Sequence, residues 1–465
     1  MSKRLLPMIV LLAGCASAPE YQRPAAPVPA VFPGAKVDTP RVLPSGRAGN
    51  TVSTLTDWRM IFTDPALQTL IATALEHNRD LRVAVGRVEE ARALAGVARA
   101  DRLPTLDVSA QRAASLTPGD LSATGRPLNT QRYDASLGVS AFELDFWGRV
   151  KNLDAAARAV YLASEEARRA FQAALIADVA NTWLTQLELT ERLALTTATV
   201  ESRTQTRFLI GKRRDVGLAG EIDYLQADGA YQNALAESAS LARQQAATAN
   251  ALQLLVGTAI GVSSQSTFQG IAIAEPQEGL VSDTLLARPD VRAAEQKLIA
   301  AHANINAARA AFLPKILLTA TAGTASRALS GLFAAGSGAW AFAPVLRLPI
   351  FDAGRNAENL DVALARKNIA VAEYEKTLQQ AFREVADLLT ARQHLATQIV
   401  AQEANTNAQS SRLKLVEARY NAGVSNHLEL LDAQREHFAA QQSTLTIRRQ
   451  QWSTTVNLYK ALGVF

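Results

Sequence analysis

Cysteine, methionine and aromatic residues are all scarce in this chain of 465 residues. Cysteine occurs once, methionine three times, and aromatic residues make up 6% of the sequence. A single cysteine excludes an intramolecular disulfide framework. Basic and acidic residues are nearly balanced, 48 against 43, and the formal net charge of +5 gives no reason to expect a nucleic-acid partner. Hydrophobic residues still make up 48% of the chain, which is enough for a large folded core.

Motifs of catalytic and metal sites are missing as well. The sequence has no phosphate-binding loop of the GxxxxGKS or GxxxxGKT kind and no GxSxG nucleophile elbow. The histidines are His77, His302, His394, His427 and His437. No two of them have the four-residue spacing of a helical zinc motif, so we interpret them as ordinary helix-surface residues. We expect no catalytic residue, no metal site and no cofactor.

The N-terminus has a short apolar run and no segment long enough to span a bilayer. Residues 5–12 follow Lys3 and Arg4 and precede two small residues, which indicates an export signal over residues 1–14. Cys15 comes next, and this arrangement resembles a bacterial lipobox, in which the thiol carries covalent lipid and becomes the first mature residue. Ala16 is not an inner-membrane retention aspartate, which favours the outer membrane. The alternative is an ordinary signal with an incidental cysteine.

The rest of the chain contains one unit twice, after a proline-rich arm. Residues 15–57 are predicted to run extended, since seven of the 17 prolines lie within 19–44. We place the first copy at 58–257, a linker at 258–285 and the second copy at 286–465. The matched positions are Leu103 and Pro104 with Leu313 and Pro314 at an offset of 210, and Gly148, Gly217, Leu225 and Gly257 with Gly354, Gly423, Leu431 and Gly463 at an offset of 206.

Each copy changes its hydrophobic period in the same order. Alternation of apolar and polar residues predicts strands at about 105–114 and 132–147 in the first copy, and at about 315–325 and 339–351 in the second. Long helical runs follow, and about 64 residues of unbroken helix would extend roughly 95 Å. Seven-residue stripes predict left-handed coiled-coil packing of these helices. The stripes are Leu364, Val371, Leu378 and Val385, and Leu431, Phe438, Leu445, Trp452 and Tyr459.

Four amphipathic strands per chain are too few to close a barrel in lipid, where a free edge is not tolerated. Several chains would therefore contribute to one barrel, and three would supply twelve strands. The fold class we predict is mainly α with membrane β, with two tandem repeats that each have two strands and a long helical hairpin. The competing hypothesis is a lipid-anchored periplasmic coiled-coil scaffold that never forms a pore.

Several sequence motifs together resemble the outer-membrane factor family of TolC-like channels, and within it the NodT-type efflux lipoproteins. They are the lipobox at Cys15, FTDPALQTLI from Phe62, ARPDVRAAEQ from Ala287, FDAGR from Phe351 and RYNAGVSNHLELLDAQR from Arg419. The resemblance covers essentially the whole chain. It implies a homotrimer with a twelve-stranded barrel in the outer membrane of a Gram-negative bacterium and a twelve-helix tunnel in the periplasm.

The same resemblance implies partners and a passive role. The chain would be the exit duct of a tripartite pump, in contact with outer-membrane lipid. A periplasmic adaptor, also called a membrane fusion protein, would dock on it, and an inner-membrane transporter of the resistance–nodulation–division type would supply energy. The exported substrate and the resting state of the gate are left open by the sequence.

The resemblance also places a periplasmic gate after Gly423. Leu428 and Asp432 lie four residues apart on one helical face, and the family motif puts such an apolar and acidic pair at the narrowest point. Their repeat mates are Ile222 and Gln226. Asp223, the mate of Glu429, offers a competing acidic ring, and a solvated helix carboxylate is the plain alternative for Asp432.

The remaining predicted site residues surround this gate. Arg419 and Tyr420 match family positions that tie neighbouring hairpins together. The alternative is that they are a surface arginine and a packed tyrosine without a functional role. The predicted adaptor contacts are Gly217, Gly423, Val424 and Ser425. Glycine at a helix end also needs no functional reason.

Overall fold

The computed structural model describes residues 21–29, 31–32, 57–259, 268, 271, 273–274 and 282–465. The predicted signal at 1–14, Cys15 and much of the proline-rich arm lie outside the described residues. The described chain divides into two compact units. The first contains Arg87–Glu165 and Ala293–Tyr374, and the second contains segments within Ala26–Gly86, Glu166–Arg292 and Glu375–Phe465. Each unit therefore takes segments from both sequence copies.

The first unit contains one antiparallel sheet of four strands in the order β1-β2-β3-β4. The strands are β1 (Leu106–Thr117), β2 (Leu128–Leu144), β3 (Lys315–Ser326) and β4 (Gly338–Arg347). Each copy supplies one hairpin, and β2 pairs with β3 between the copies. Two strands per copy confirm the predicted fold class, and β1 and β4 are the edges of the sheet.

The strand ends differ from the sequence prediction. β4 stops at Arg347, two residues before Pro349. It contains Pro344, which an edge strand tolerates. β2 begins at Leu128 and ends at Leu144, with a register shift between Val139 and Phe142. Ala141, inside this bulge, has a φ of 51°.

Helices make up most of the remaining described chain. They are α1 (Trp58–Ile61), α2 (Pro65–His77), α3 (Arg79–Ala100), α4 (Arg149–Asp215), α5 (Glu221–Val256), α6 (Pro289–Ala310), α7 (Arg355–Asn421) and α8 (His427–Ala461). The helices α4 and α7 have 67 residues each, and both end before a glycine of positive φ. Among the described residues, no helix is both long enough and apolar enough to cross a bilayer.

The second unit has the main hydrophobic core. Trp183 is 1% exposed and lies among side chains of α2, α4, α5 and α8, including Ile71, Leu252 and Val456. The first of these helices starts where Asp64 accepts a hydrogen bond from the Leu67 N–H at 2.9 Å, with Pro65 as the first helical residue. This core holds the long helices together, and their hairpin tips belong to the same unit.

Candidate gating site at the hairpin tips

Both long hairpins turn in the same way. Gly217 follows α4 with a φ of 79°, and Gly423 follows α7 with a φ of 75°. At the first tip the Leu218 N–H donates to the Arg213 carbonyl at 2.7 Å, and at the second the Val424 N–H donates to the Arg419 carbonyl at 2.9 Å. This is the usual left-handed helix termination that glycine favours. No heavy atom lies within 4 Å of a Cβ built on either glycine, so both tips are open.

The helices that leave the two tips are capped differently. Asp223 accepts a hydrogen bond from the Gly220 N–H at 3.1 Å at the start of α5. At the start of α8 the Asn426 side chain caps instead, accepting from the Glu429 N–H at 2.9 Å. The carboxylate of Glu429 accepts from Arg419 Nη1 at 3.0 Å and from the Ser425 hydroxyl. Asp223 therefore acts in a cap, whereas its repeat mate pairs with a cation.

The predicted gate residues are both accessible in the single chain. Leu428 is 58% exposed in the first turn of α8, and its repeat mate Ile222 is 71% exposed. Asp432 accepts hydrogen bonds from Arg412 Nη2 at 2.6 Å and Arg435 Nη2 at 2.9 Å. The Arg412 hydrogen bond lowers the pKa of Asp432, so this carboxylate is ionised at neutral pH.

A hydrogen bond joins the two hairpins close to their tips. Tyr420 Oη accepts from Arg213 Nη1 at 3.0 Å, so the end of α7 is linked to the end of α4. The Tyr420 ring lies 5.8 Å from the His427 ring, measured between centroids. Tyr420 also packs against the small apolar cluster of Val416, Leu430 and Ala433. The tyrosine is thus both packed and hydrogen-bonded.

His427 is a buried residue, so the interpretation as a helix-surface histidine was wrong here. His427 is 9% exposed, and neither of its ring nitrogens has a hydrogen-bond partner. Burial lowers the pKa of His427, Arg213 lowers it further, and Asp223 opposes the shift. The sequence pattern did not predict the burial of His427, because its neighbours Arg213 and Tyr420 come from other helices, α4 and α7.

The tips have open turns, ion pairs and one buried imidazole. The other unit has a sheet with two edge strands. Two sheet edges that must be covered in lipid are the feature expected of a membrane channel subunit that assembles from several chains. The family model described as "Outer membrane efflux protein" matches residues 70–258 and 280–464. The chain belongs to this family, which confirms the resemblance drawn from the motifs and the prediction of an outer-membrane efflux channel.

Individual relatives match along nearly the whole chain. The toluene efflux pump outer membrane protein TtgF of Pseudomonas putida is 45% identical over 455 residues, covering 98% of this chain and 95% of TtgF. A membrane protein from Pseudomonas aeruginosa of known structure is 40% identical with a TM-score of 0.88, covering 97% of this chain and 100% of that one. The Neisseria gonorrhoeae MtrE outer membrane channel, solved in its open state, is 34% identical to this chain with a TM-score of 0.85. The match covers 97% of this chain and 98% of the MtrE chain.

Proposed function

We propose that three copies of this chain form the exit duct of a tripartite efflux pump. The observation that carries the proposal is the four-stranded sheet whose outer strands, β1 and β4, each pair with one neighbour only among the described residues. A free strand edge is not tolerated in lipid, so the edges must meet in a closed barrel. Three four-stranded sheets give twelve strands, an even number within the range of bacterial barrels.

The gate of this duct lies in the second hairpin. Leu428 is exposed at the start of α8, and Asp432 follows one turn later on the same face. Three copies would give a ring of leucines beside a ring of ionised aspartates. Carboxylates held close together favour cations and impede anions. Asp223 is the weaker candidate for the acidic ring, because one of its oxygens caps α5.

The adaptor contacts follow from the open tips. Val424 is 71% exposed beside Gly423, and a Cβ built on either tip glycine would have no heavy atom within 4 Å outside the neighbouring residues. We assign Gly217, Gly423, Val424 and Ser425 to the surface that receives a periplasmic adaptor, with an inner-membrane transporter supplying the energy. We assign Arg419 and Tyr420 to the support of the gate, through their hydrogen bonds with Glu429 and Arg213. The duct itself performs no catalysis.

Lipid on Cys15 is proposed as a sorting and assembly mark. The closed barrel would already hold each chain in the membrane, so the three acyl anchors would add little retention. Cys15→Ala is expected to lower the yield of trimer while assembled channels still conduct. Loss of conductance in properly assembled trimers would contradict this role.

The experiment that tests the proposed function combines fractionation with electrophysiology. The full-length protein is expected in the outer-membrane fraction as a trimer that dissociates on heating, and purified trimers should produce stepwise currents in planar bilayers. A monomer in the soluble fraction after Cys15→Ala, without channel activity, would support the scaffold hypothesis instead.

Apolar organic molecules are the substrate class we propose to examine first. The name of TtgF ties that relative to toluene. Expression of this chain with a pump from which the native outer-membrane component has been deleted is expected to restore growth in the presence of toluene. No restoration with a pump whose adaptor binds the chain would contradict this substrate class.

A further inference from the structure

A cavity of about 340 Å³ lies where β2 ends and α4 begins. Its lining comes from three places in the unit that contains the sheet. Arg102 follows α3, residues 142–146 form the end of β2 and the turn after it, and Lys151 lies in the first turn of α4. Phe146 is 65% exposed, so the cavity is open to the surroundings of the protein.

The apolar face of the sheet leads into this cavity. Residues directly opposite each other in a ladder lie on the same face of a sheet. The pairs on the apolar face are Leu137–Ala322, Val139–Ala320, Phe142–Leu318 and Leu144–Ile316. β2 has one residue more than β3 between Val139 and Phe142, and this bulge keeps Phe142 and Leu144 on the apolar face. Because both of these residues line the cavity, its apolar wall continues the face that a barrel turns to lipid.

The acidic groups of the cavity are partly engaged by neighbours. Glu143 accepts two hydrogen bonds from Arg149, from Nε at 2.8 Å and from Nη2 at 2.7 Å. One oxygen of Asp145 accepts from the Lys151 backbone N–H at 2.7 Å, at the start of α4. The other oxygen of Asp145 accepts no hydrogen bond from the described part of the chain.

The two cations of the cavity are more available. Arg102 donates from Nη1 to Asp154 at 3.0 Å, and 48% of its side chain remains exposed. The exposed ammonium group of Lys151 has no hydrogen bond and no ion pair with any residue that the structure describes. Cations beside apolar side chains suit a ligand in which an anionic group is joined to a hydrocarbon chain.

These cations are present in the first sequence copy only. The offset of 206 maps Lys151 to Ala357, and the offset of 210 maps Arg102 to Phe312. The second copy turns from strand to helix in the same way, with a φ of 87° at Gly354 where Gly148 has 75°. The turn therefore does not require either cation, and their presence in the first copy calls for another reason.

We propose, on the basis of the barrel proposed above, that this cavity binds one glycerophospholipid with an ethanolamine headgroup, from the leaflet that faces the periplasm. The lipid phosphate accepts charge-assisted hydrogen bonds from Lys151 and Arg102. The headgroup ammonium lies beside Asp145, and the first carbons of an acyl chain pack on Phe142 and Leu144. Two basic and two acidic side chains line the cavity, and this balance favours a zwitterionic lipid over one with net negative charge.

Native mass spectrometry of full-length trimers tests this site. Trimers freed of lipid in detergent are titrated with phosphatidylethanolamine, and the unmodified protein is compared with a variant that combines Lys151→Ala with Arg102→Gln. The unmodified trimer is expected to bind one lipid for each chain. The double variant is expected to bind at least about tenfold more weakly, because each cation near lipid headgroups contributes roughly fivefold.

Two further variants keep the comparison sharp. Lys315→Ala removes a lysine at the same end of the sheet that does not line the cavity, and it should bind lipid like the unmodified trimer. Lys151→Ala alone serves if the double variant does not assemble, because alanine is the residue of the second copy at this place. The single variant is expected to bind about fivefold more weakly.

The outcomes separate the lipid site from the proposed duct. Equal binding by unmodified and variant trimers overturns the site, and so does an equal loss in Lys315→Ala. Tighter binding of phosphatidylglycerol than of phosphatidylethanolamine overturns the headgroup assignment. Trimers that conduct in planar bilayers but bind no lipid refute the site and leave the duct in place. A chain that is monomeric by light scattering and gives no current refutes the duct, and the lipid site with it.

Discussion

The two hairpin tips come from one duplicated unit, yet they differ in charge. Their backbones match, since Gly217 and Gly423 both turn at positive φ. The second tip has Asp432 between Arg412 and Arg435. The repeat mates of these residues are Gln226, Thr206 and Gly229, so the equivalent positions of the first copy are uncharged. An ion pair of the first hairpin lies elsewhere, between Arg207 and Asp228. Arg213 and Arg419 correspond in the two copies, and so do Asp223 and Glu429, so these charges are kept. The acidic position proposed for the gate, Asp432, is charged in the second tip only.

The copies also differ where their hairpins return to the core. Gly257 and Gly463 both have positive φ, 79° and 68°. A Cβ on Gly257 would lie 2.4 Å from the His77 carbonyl oxygen, whereas a Cβ on Gly463 would have ordinary contacts, the nearest at 3.4 Å to Arg288 Cα. Equivalent positions thus have unequal room for a side chain.

The largest expected effect follows from this difference. Gly463→Ala should cost about 1 kcal/mol, because only the left-handed conformation is penalised. Gly257→Ala should cost about 3 kcal/mol or more, because the methyl group also displaces backbone. The midpoints of thermal unfolding of the two purified variants measure the contrast. Equal midpoints would show that the crowding at Gly257 relaxes without cost.

A smaller effect is expected from pH at the second tip. Because burial lowers the pKa of His427 in the folded tip, the neutral ring is favoured there. The unfolded or opened tip binds the proton more readily, so this stabilisation is complete above about pH 6.5 and is lost as pH falls through the lowered pKa. Arg213 of α4, Asp223 of α5 and Tyr420 of α7 are the groups that face the ring.

Hydrogen exchange measures this pH effect. On acidification to about pH 5.5, protection of the amides in residues 419–430 should fall roughly threefold to tenfold more in the native chain than in His427→Gln. Glu221, the repeat mate of His427, marks the control segment at the first tip, where no such difference is expected. Identical pH profiles in the native chain and the variant would show that His427 does not cause the loss of protection.

The smallest expected effect concerns the bulge found only in the first copy. Ala141→Gly should stabilise the protein by about 0.5 kcal/mol, because glycine relieves the positive φ but adds freedom to the unfolded chain. Ala343→Gly, in the regular strand β4, should destabilise by about 0.5 to 1 kcal/mol. Thermal unfolding of both variants shows whether the signs are opposite. A loss of stability in both would contradict strain at Ala141.

The sequence predicted the features that repeat and missed those that depend on contacts between distant elements. Repeat matching located both turning glycines, and alternation found all four strands. The strand ends were less accurate, because the pairing partners of each strand decide them. On α8 the predicted stripe of Leu431, Phe438 and Leu445 is only half-buried, and the buried line is adjacent, at Leu430, Ala433 and Ala440.

The charges around Asp432 show the same limit. Arg435 is three residues away on the same helix, so its contact could be expected from spacing alone. Arg412 is twenty residues away on α7 and reaches Asp432 only because the hairpin brings the two helices together. His427 is buried for the same reason.

Single-channel conductance of matched double variants tests the central claim most directly. Leu428→Ala with Asp432→Ala changes the second tip, and Ile222→Ala with Gln226→Ala makes the equivalent change in the first. If the gate lies in the second tip, the first double variant should conduct several-fold more than the native trimer in planar bilayers, and the second should stay close to native. Equal conductance of both double variants, or no increase in the first, would contradict a gate at Leu428 and Asp432.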